Sequence, residues 1–333
     1  MLRMPKFSVQ TPQTVEEAVA ALSTPGARIV AGGTDLLPNL KHHLERPPVL
    51  VSLSQVGGMQ GIEVDEKAGV MRIGARVTLT AVAEDPAVIE RFPSLARAAG
   101  IVASPLIRNM GTLGGNINLD TRCRYVNQTG FWREAIGGGC LKSEGDVCHV
   151  VPGGRICVAA MSSDCVPVLV SLGASVALVG PEGRREVPLA SYYKSDGTRH
   201  TTRADDELST EIVVPLPTSP RRSSYAKWTV RDSIDFPLVS IALRFDLEED
   251  RVDAPVTEAH VVVGVLGSKP RKITRLDEVI GMAMSAPNFA STVAERVHKQ
   301  CKPLENVPYE APYRRQMLRV HTRRTIEALV AEG

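Results

Sequence analysis

The sequence predicts an α+β protein in two parts: a mixed α/β N-terminal region and, beyond a linker, a smaller C-terminal domain of three antiparallel strands and closing helices. Three observations lead there. Short apolar strands alternate with helix signals at the start, three longer β-rich runs follow one another after residue 220, and the chain ends in helical spacing. A length of 333 residues suits two cores better than one, and the run Pro217-Thr218-Ser219-Pro220-Arg221-Arg222 reads as the linker, dividing 1–218 from 219–333.

Thr14 followed three residues later by Glu17 forms a capping box, so a helix is expected over Thr14–Leu22. Arg28-Ile29-Val30-Ala31 is a short apolar strand that runs into Gly32-Gly33-Thr34-Asp35 and then the helical Leu36–Leu40. Further strands are expected at Val49–Leu53 and Met71–Leu79, and a helix near Ser94–Ala103. A second glycine loop follows, Asn109-Met110-Gly111-Thr112-Leu113-Gly114-Gly115-Asn116. From Ile117 to Ala160 periodicity fades, and Gly137–Gly139 and Pro152-Gly153-Gly154 mark irregular backbone. So long an irregular stretch needs something other than a hydrophobic core to hold it. Regular structure resumes at Val166–Val179, with a strand at Glu211–Pro215. In the second part, Tyr225–Val230, Val239–Leu247 and Glu258–Leu266 read as strands, and helices are expected around Ile273–Met284, Asn288–Gln300 and Pro312–Ala331.

The two glycine loops carry the chemistry. Glycines let backbone approach a phosphate closely, and amides at a helix start point toward an anion. Thr34 adds a hydroxyl, so the loops at 31–35 and 112–116 could grip one diphosphate from two sides. Neither matches GxGxxG or GxxxxGKT, which removes the Rossmann and P-loop readings, and a bare glycine pair is by itself a common turn.

Ala31–Leu36, Ile73-Gly74-Ala75 with Thr78-Leu79, Arg108–Asn116 and Ser163-Asp164 with Pro167 resemble, in order and spacing, the FAD-binding segments of the xanthine dehydrogenase and carbon monoxide dehydrogenase flavoprotein family. Tyr225-x-Lys227-x-x-x-Arg231-x-x-x-Asp235-Phe236 and Tyr313-Arg314 resemble the C-terminal domain of the same family. The resemblance implies a PCMH-type FAD-binding domain over 1–218 and a carbon monoxide dehydrogenase flavoprotein-like domain over 219–333. It implies FAD in extended form on Ile29, Val30, Ala31, Gly32, Gly33, Thr34, Asp35 and Leu36, and on Arg108, Asn109, Gly111, Thr112, Gly114, Gly115 and Asn116. By the same resemblance Asp164 would hold the ribose or adenine end and Lys227 would lie near the flavin ring. Each also has a plainer reading: Asp164 as a helix cap, Lys227 as a surface lysine, Asp35 as a first-turn acid favoured by the helix dipole.

Between Asn116 and Met161 the chain carries residues that most members of that family lack, among them Cys123, Cys140, Cys148 and Cys157, separated by 16, 7 and 8 residues. This is neither the close pairing of zinc ribbons nor the ferredoxin run, so spacing names no metal. Thiolates suit tetrahedral zinc or a cubane cluster equally, and free thiols or disulfides are a third reading. Beside a flavin, an iron–sulfur cluster would be a one-electron partner where zinc would only staple a loop. The insert, at about 117–160, resembles the β subunit of 4-hydroxybenzoyl-CoA reductase, which implies a 4Fe-4S cluster on these four cysteines. His149 beside Cys148 is an alternative ligand; Cys165 reads as a packed small side chain and Cys301 as an incidental thiol.

Net charge is +2 from evenly spread acids and bases, which implies no nucleic-acid partner. The N-terminus lacks an apolar targeting core and no window reaches the roughly 18 apolar residues of a membrane span, so no membrane partner and a cytoplasmic location are expected. No nucleophile elbow or HExxH motif is present, so no catalytic residue is expected and the chain should only move electrons. The resemblance implies a large subunit with a molybdenum-pterin cofactor, a small subunit with two 2Fe-2S clusters, and a dimer of heterotrimers. The activity expected is reductive dehydroxylation of 4-hydroxybenzoyl-CoA to benzoyl-CoA with reduced ferredoxin as donor. Two alternatives stand beside it: the FAD subunit of another molybdenum hydroxylase, oxidising an aldehyde, purine or heterocycle with a zinc-stapled insert, and a non-catalytic nucleotide-binding scaffold.

Overall fold

A computed structural model describes residues 3–332. Three sheets organise the chain. The first is parallel, order β1-β3-β2, from Ser8–Gln10, Arg28–Val30 (β2) and Val49–Ser52 (β3). The second is antiparallel, order β4-β5-β8-β6-β7, from Ile62–Asp65, Val70–Gly74 (β5), Ser175–Gly180 (β6), Gly183–Pro188 and Leu208–Pro215 (β8). The third is antiparallel, order β12-β11-β10-β9, from Arg221–Trp228 (β9), Val239–Leu247 (β10), Val256–Gly264 (β11) and the two-residue edge Arg271–Lys272 (β12). It therefore has a fourth, short strand beyond the three expected.

Side-chain alternation explains how the halves join. Along β10, Val239, Ile241, Leu243, Phe245 and Leu247 pack with Val293, Val297, Leu318 and Ile326 of the helices Phe289–Gln300 and Ala311–Glu332. On the opposite face Ala242, with Val262 of β11 and Tyr225 of β9, enters the core that also holds the helix Cys165–Ser171, all of whose residues are buried. β10 is thus covered on both sides, and the two parts share one core through that helix.

Local rules place most elements. Thr14 accepts from Glu17 N at 3.2 Å while the Glu17 carboxylate accepts from Gln13 N at 2.7 Å, closing the start of the helix Val15–Leu22. The strand expected over 71–79 stops at Gly74, because Thr78 caps a new helix, Leu79–Glu84, by accepting from Ala81 N. The helix expected over Ile273–Met284 does not form beyond a 3-10 turn, Asp277–Val279. There the backbone spends its hydrogen bonds on the edge of β11, Ile273 N to Val261 O and Gly281 N to Val256 O, and Gly281 sits at φ +82°. The cysteine insert is not wholly irregular: Thr129 caps a helix, Gly130–Ile136, that ends at Gly137 with φ +139°. No described helix is long and apolar enough to cross a membrane.

Candidate functional site: a glycine-loop cleft beside a cluster of thiols

A cleft of about 1090 Å³ is lined by Ile29, Val30, Ala31, Gly32, Gly33, Thr34, Asp35 and Leu36 on one side and by Gly111, Thr112, Gly114, Gly115 and Asn116 on the other. This volume is at the upper end of small-molecule sites and suits an extended dinucleotide.

The first loop forms where β2 ends. Gly33 takes φ +71°, a left-handed turn that glycine adopts without cost. A Cβ on Gly32 would lie 1.9 Å from the carbonyl oxygen of Met110, so this glycine is what lets the two loops touch. Among the described residues none accepts a hydrogen bond from the amides of Gly32, Gly33, Thr34 or Asp35, so all four remain available to an anion. Asp35 stands at the N-cap of the helix Leu36–Lys41, but its side chain caps no amide: one carboxylate oxygen pairs with Arg122 and the other accepts from Asn39 Nδ2 at 3.3 Å. The Arg122 guanidinium in turn lies 3.9 Å above the Phe236 ring.

The second loop is built differently, and the expectation that it offers the same donors again is corrected. Leu113 N donates to Val77 O at 2.8 Å, Gly114 N to Ala75 O at 2.9 Å, Gly115 N to the Thr112 hydroxyl at 3.0 Å and Asn116 N to Thr112 O at 2.9 Å. These four amides are spent on the chain's own fold, and what Gly114 and Gly115 offer is a wall without Cβ atoms. Gly114 backs onto Ala75, where a Cβ would come within 2.6 Å, and Gly115 has only the Thr112 hydroxyl beside it. Asn116 Oδ1 accepts from Ser163 Oγ at 2.5 Å and from Cys165 N at 3.3 Å, so Ser163 and Asn116 tie this loop to the buried helix.

Three expected positions do not line the cleft. Arg108 donates to Val102 O at 2.8 Å and Asn109 accepts from Thr80 Oγ1 at 2.7 Å, both holding the loop from behind. Lys227 donates to Asp164 at 3.2 Å and to Ile101 O at 3.3 Å, with its side chain only 7% exposed. Asp164 does reach the cleft wall, but it is not a cap; it accepts from Tyr225 Oη at 2.8 Å and from Lys227, while Ser163 caps the helix through Val166 N. Burial pushes the Asp164 carboxyl up from its usual range, and Lys227 and Tyr225 oppose this.

Several lining residues are not among the expected site residues: Arg122, Lys142, the segment around His200 and Arg203, and Ile234–Phe236. A run of bases, Lys194, Arg199, His200 and Arg203, signals the His200 segment, and Asp235-Phe236 stand in the C-terminal motif quoted above. Burial holds the His200 imidazole down to about 4, so it is neutral near pH 7.

The four insert cysteines come together. Cys123, Cys140, Cys148 and Cys157 line one small void with Tyr125, Lys142 and His149. Three of the sulfurs already accept backbone amides: Cys123 from Tyr125 N at 3.5 Å, Cys148 from Val151 N at 3.4 Å and Cys157 from Ala159 N at 3.5 Å. Amides aimed at sulfur stabilise thiolate ligands, so the donor set fits a sulfur-ligated group. Burial pushes the Cys123 and Cys157 thiols up, with neighbouring cysteines adding to it. Among the described residues no three Cys, His, Asp or Glu side chains converge tightly enough for a single metal ion. His149 is stacked on Tyr125 at 4.0 Å with Nε2 at 3.0 Å from Gly139 O. Cys165 and Cys301 are fully buried; Cys301 is a core residue rather than an incidental thiol, its own thiol pushed up to about 12 by burial.

The family described as the FAD binding domain in molybdopterin dehydrogenase matches residues 5–217, and the chain belongs to it. The chain is 33% identical to the FAD-binding subunit of an aldehyde oxidoreductase of Escherichia coli, over 84% of this chain and 86% of that one. It is 25% identical to the medium subunit of nicotine 6-hydroxylase of Paenarthrobacter nicotinovorans, over 98% of each. Its fold matches a solved carbon monoxide dehydrogenase chain of Hydrogenophaga pseudoflava with a TM-score of 0.79 and 22% identity, covering 99% of each.

Proposed function

We propose that this chain is the electron-transfer subunit of a heteromeric molybdenum hydroxylase, holding FAD extended in the cleft and a 4Fe-4S cluster on Cys123, Cys140, Cys148 and Cys157. The observation that carries it is the meeting of two glycine loops, far apart in sequence, on one cleft that adjoins a thiol-lined void. The amides of Gly32–Asp35 bind the diphosphate, the Thr34 hydroxyl adds a donor, and Gly114 and Gly115 give the close wall. Asp164 bounds the cleft, and Lys227 keeps that carboxylate paired. When bound, FAD exchanges electrons singly or in pairs, linking a one-electron cluster in this chain to the two 2Fe-2S clusters of a small subunit and the molybdenum-pterin cofactor of a large one. The assembly expected is a dimer of heterotrimers.

The aldehyde oxidoreductase relative favours a partner that oxidises its substrate, so that electrons enter this chain from the molybdenum side. Reductive dehydroxylation of 4-hydroxybenzoyl-CoA, fed by ferredoxin, rests on the cysteine insert alone. The four cysteines line one void beside the cleft, where a redox-active cluster would have a partner in the flavin and zinc would only staple the loop.

Metal and flavin analysis of the purified heteromer tests the reading. It should give one FAD and about four irons per chain beyond those of the small subunit, and reduction of the flavin on adding an aldehyde. FAD without that iron overturns the cluster. Reduction by no aldehyde, with oxidation of the reduced enzyme by 4-hydroxybenzoyl-CoA, would restore the reductive direction.

A further inference from the structure

Of the described residues that line the thiol void, Lys142 and Val126 also line the cleft, and only Lys142 carries charge. Its side chain is 13% exposed, and its ammonium donates to Asp120 Oδ1 at 2.6 Å, Thr121 O at 3.1 Å, Gly197 O at 2.9 Å and the Thr121 hydroxyl. Each contact reaches a cysteine-bearing segment. Lys142 lies two residues after Cys140, Thr121 two residues before Cys123, and Gly197 N donates to the carbonyl of Cys157 at 2.9 Å. The same segment is fixed from outside: Cys157 N donates to Asp196 Oδ1 at 3.2 Å and Ser268 Oγ to Cys157 O at 3.1 Å.

We propose that Lys142 is the positioning residue of the one-electron exchange between the two cofactors, tying three cysteine segments to the cleft wall and keeping a buried positive charge between thiols and flavin. This rests on the cluster reading above. The charge is only partly offset by its partner, because the Asp120 side chain is 41% exposed and screened by solvent, whereas the ammonium is largely enclosed. A nearby cation stabilises the reduced, more negative form of a cluster and so raises its potential.

The test is an anaerobic, EPR-monitored potentiometric titration of the cofactor-loaded heteromer. Iron analysis of the unmutated protein comes first, and absence of the extra iron would sink the cluster reading before any variant is made. Lys142→Gln should keep FAD while the cluster midpoint potential moves to more negative values, and Lys142→Arg should return most of the shift. A Lys142→Gln protein with full iron and an unmoved potential overturns the proposal, as does failure of the arginine to restore it. Should Lys142→Gln lose iron, Asp120→Asn carries the test. That variant leaves the carbonyl and hydroxyl partners in place; a positive shift supports the role of the charge, and an unshifted potential refutes it.

Discussion

In the cleft-lining loop at Gly32–Asp35 four amides have no acceptor among the described residues, whereas in the loop at Thr112–Asn116 the amides of Leu113, Gly114, Gly115 and Asn116 are all taken by the chain itself. Both loops carry a Gly-Gly pair with a Thr within two residues of it, and both open a helix. What separates them is their backing. The first leaves a short edge strand, and its amides meet no acceptor among the described residues. The second is stitched to the end of β5 through Val77 and Ala75, and to the buried helix through Asn116 and Ser163. One loop can therefore bind an anion by donation and the other by shape, and the same motif text covers both uses.

The sharpest way to break this division is at the point of contact between the loops. In Gly32→Ala the new methyl would meet backbone, 1.9 Å from Met110 O and 2.6 Å from Met110 C, so no side-chain rotation relieves it. The loops must part, and FAD affinity should fall by about 3 kcal/mol, roughly a hundredfold. Flavin content after gel filtration checks this; full flavin retention would mean that the contact is dispensable.

Next in size is Lys227→Met, which strands the buried Asp164 behind the second loop. Breaking a buried pair costs about 3 kcal/mol or more of stability. Because Lys227 itself does not line the cleft, the flavin spectrum of the folded variant should match that of the parent. A lowered denaturation midpoint with an unaltered spectrum is the expected pair of results. An altered flavin spectrum at undiminished stability would restore Lys227 to the flavin ring.

How much of this was legible beforehand follows the range of the interactions. Thr14 with Glu17 announces a helix because both partners lie within one turn. The glycine loops and the four cysteines were readable as residue types, and the structure gathers each set on one surface. What each amide does was not readable, since Gly114 N is satisfied by Ala75 and Asn116 Oδ1 by Ser163, at separations no local pattern reports. Arg122 and Lys142 were passed over for the same reason: their partners Asp35 and Gly197 are remote in sequence. Ile273–Met284 looked helical because its apolar residues are real core residues, buried as an irregular edge against β11.

Two milder substitutions sharpen the contrast without dismantling it. Thr112→Ala removes the hydroxyl that accepts from Gly115 N, which should lower stability by about 1 kcal/mol, the usual loss for a helix cap. It should also free one amide in the loop that otherwise has little to offer. Gly115→Ala places a methyl 3.1 Å from the Thr112 hydroxyl and otherwise toward the cleft, at a backbone angle open to any residue. The fold should tolerate it, with a change in denaturation midpoint smaller than that of Thr112→Ala, while flavin binds about threefold to tenfold more weakly because the close wall has moved inward, about 1 kcal/mol. Equilibrium titration of the flavin-free chain with FAD separates the two variants. If Gly115→Ala binds FAD as tightly as the parent, the second loop does not act by shape, and its place on the cleft is incidental to the cofactor.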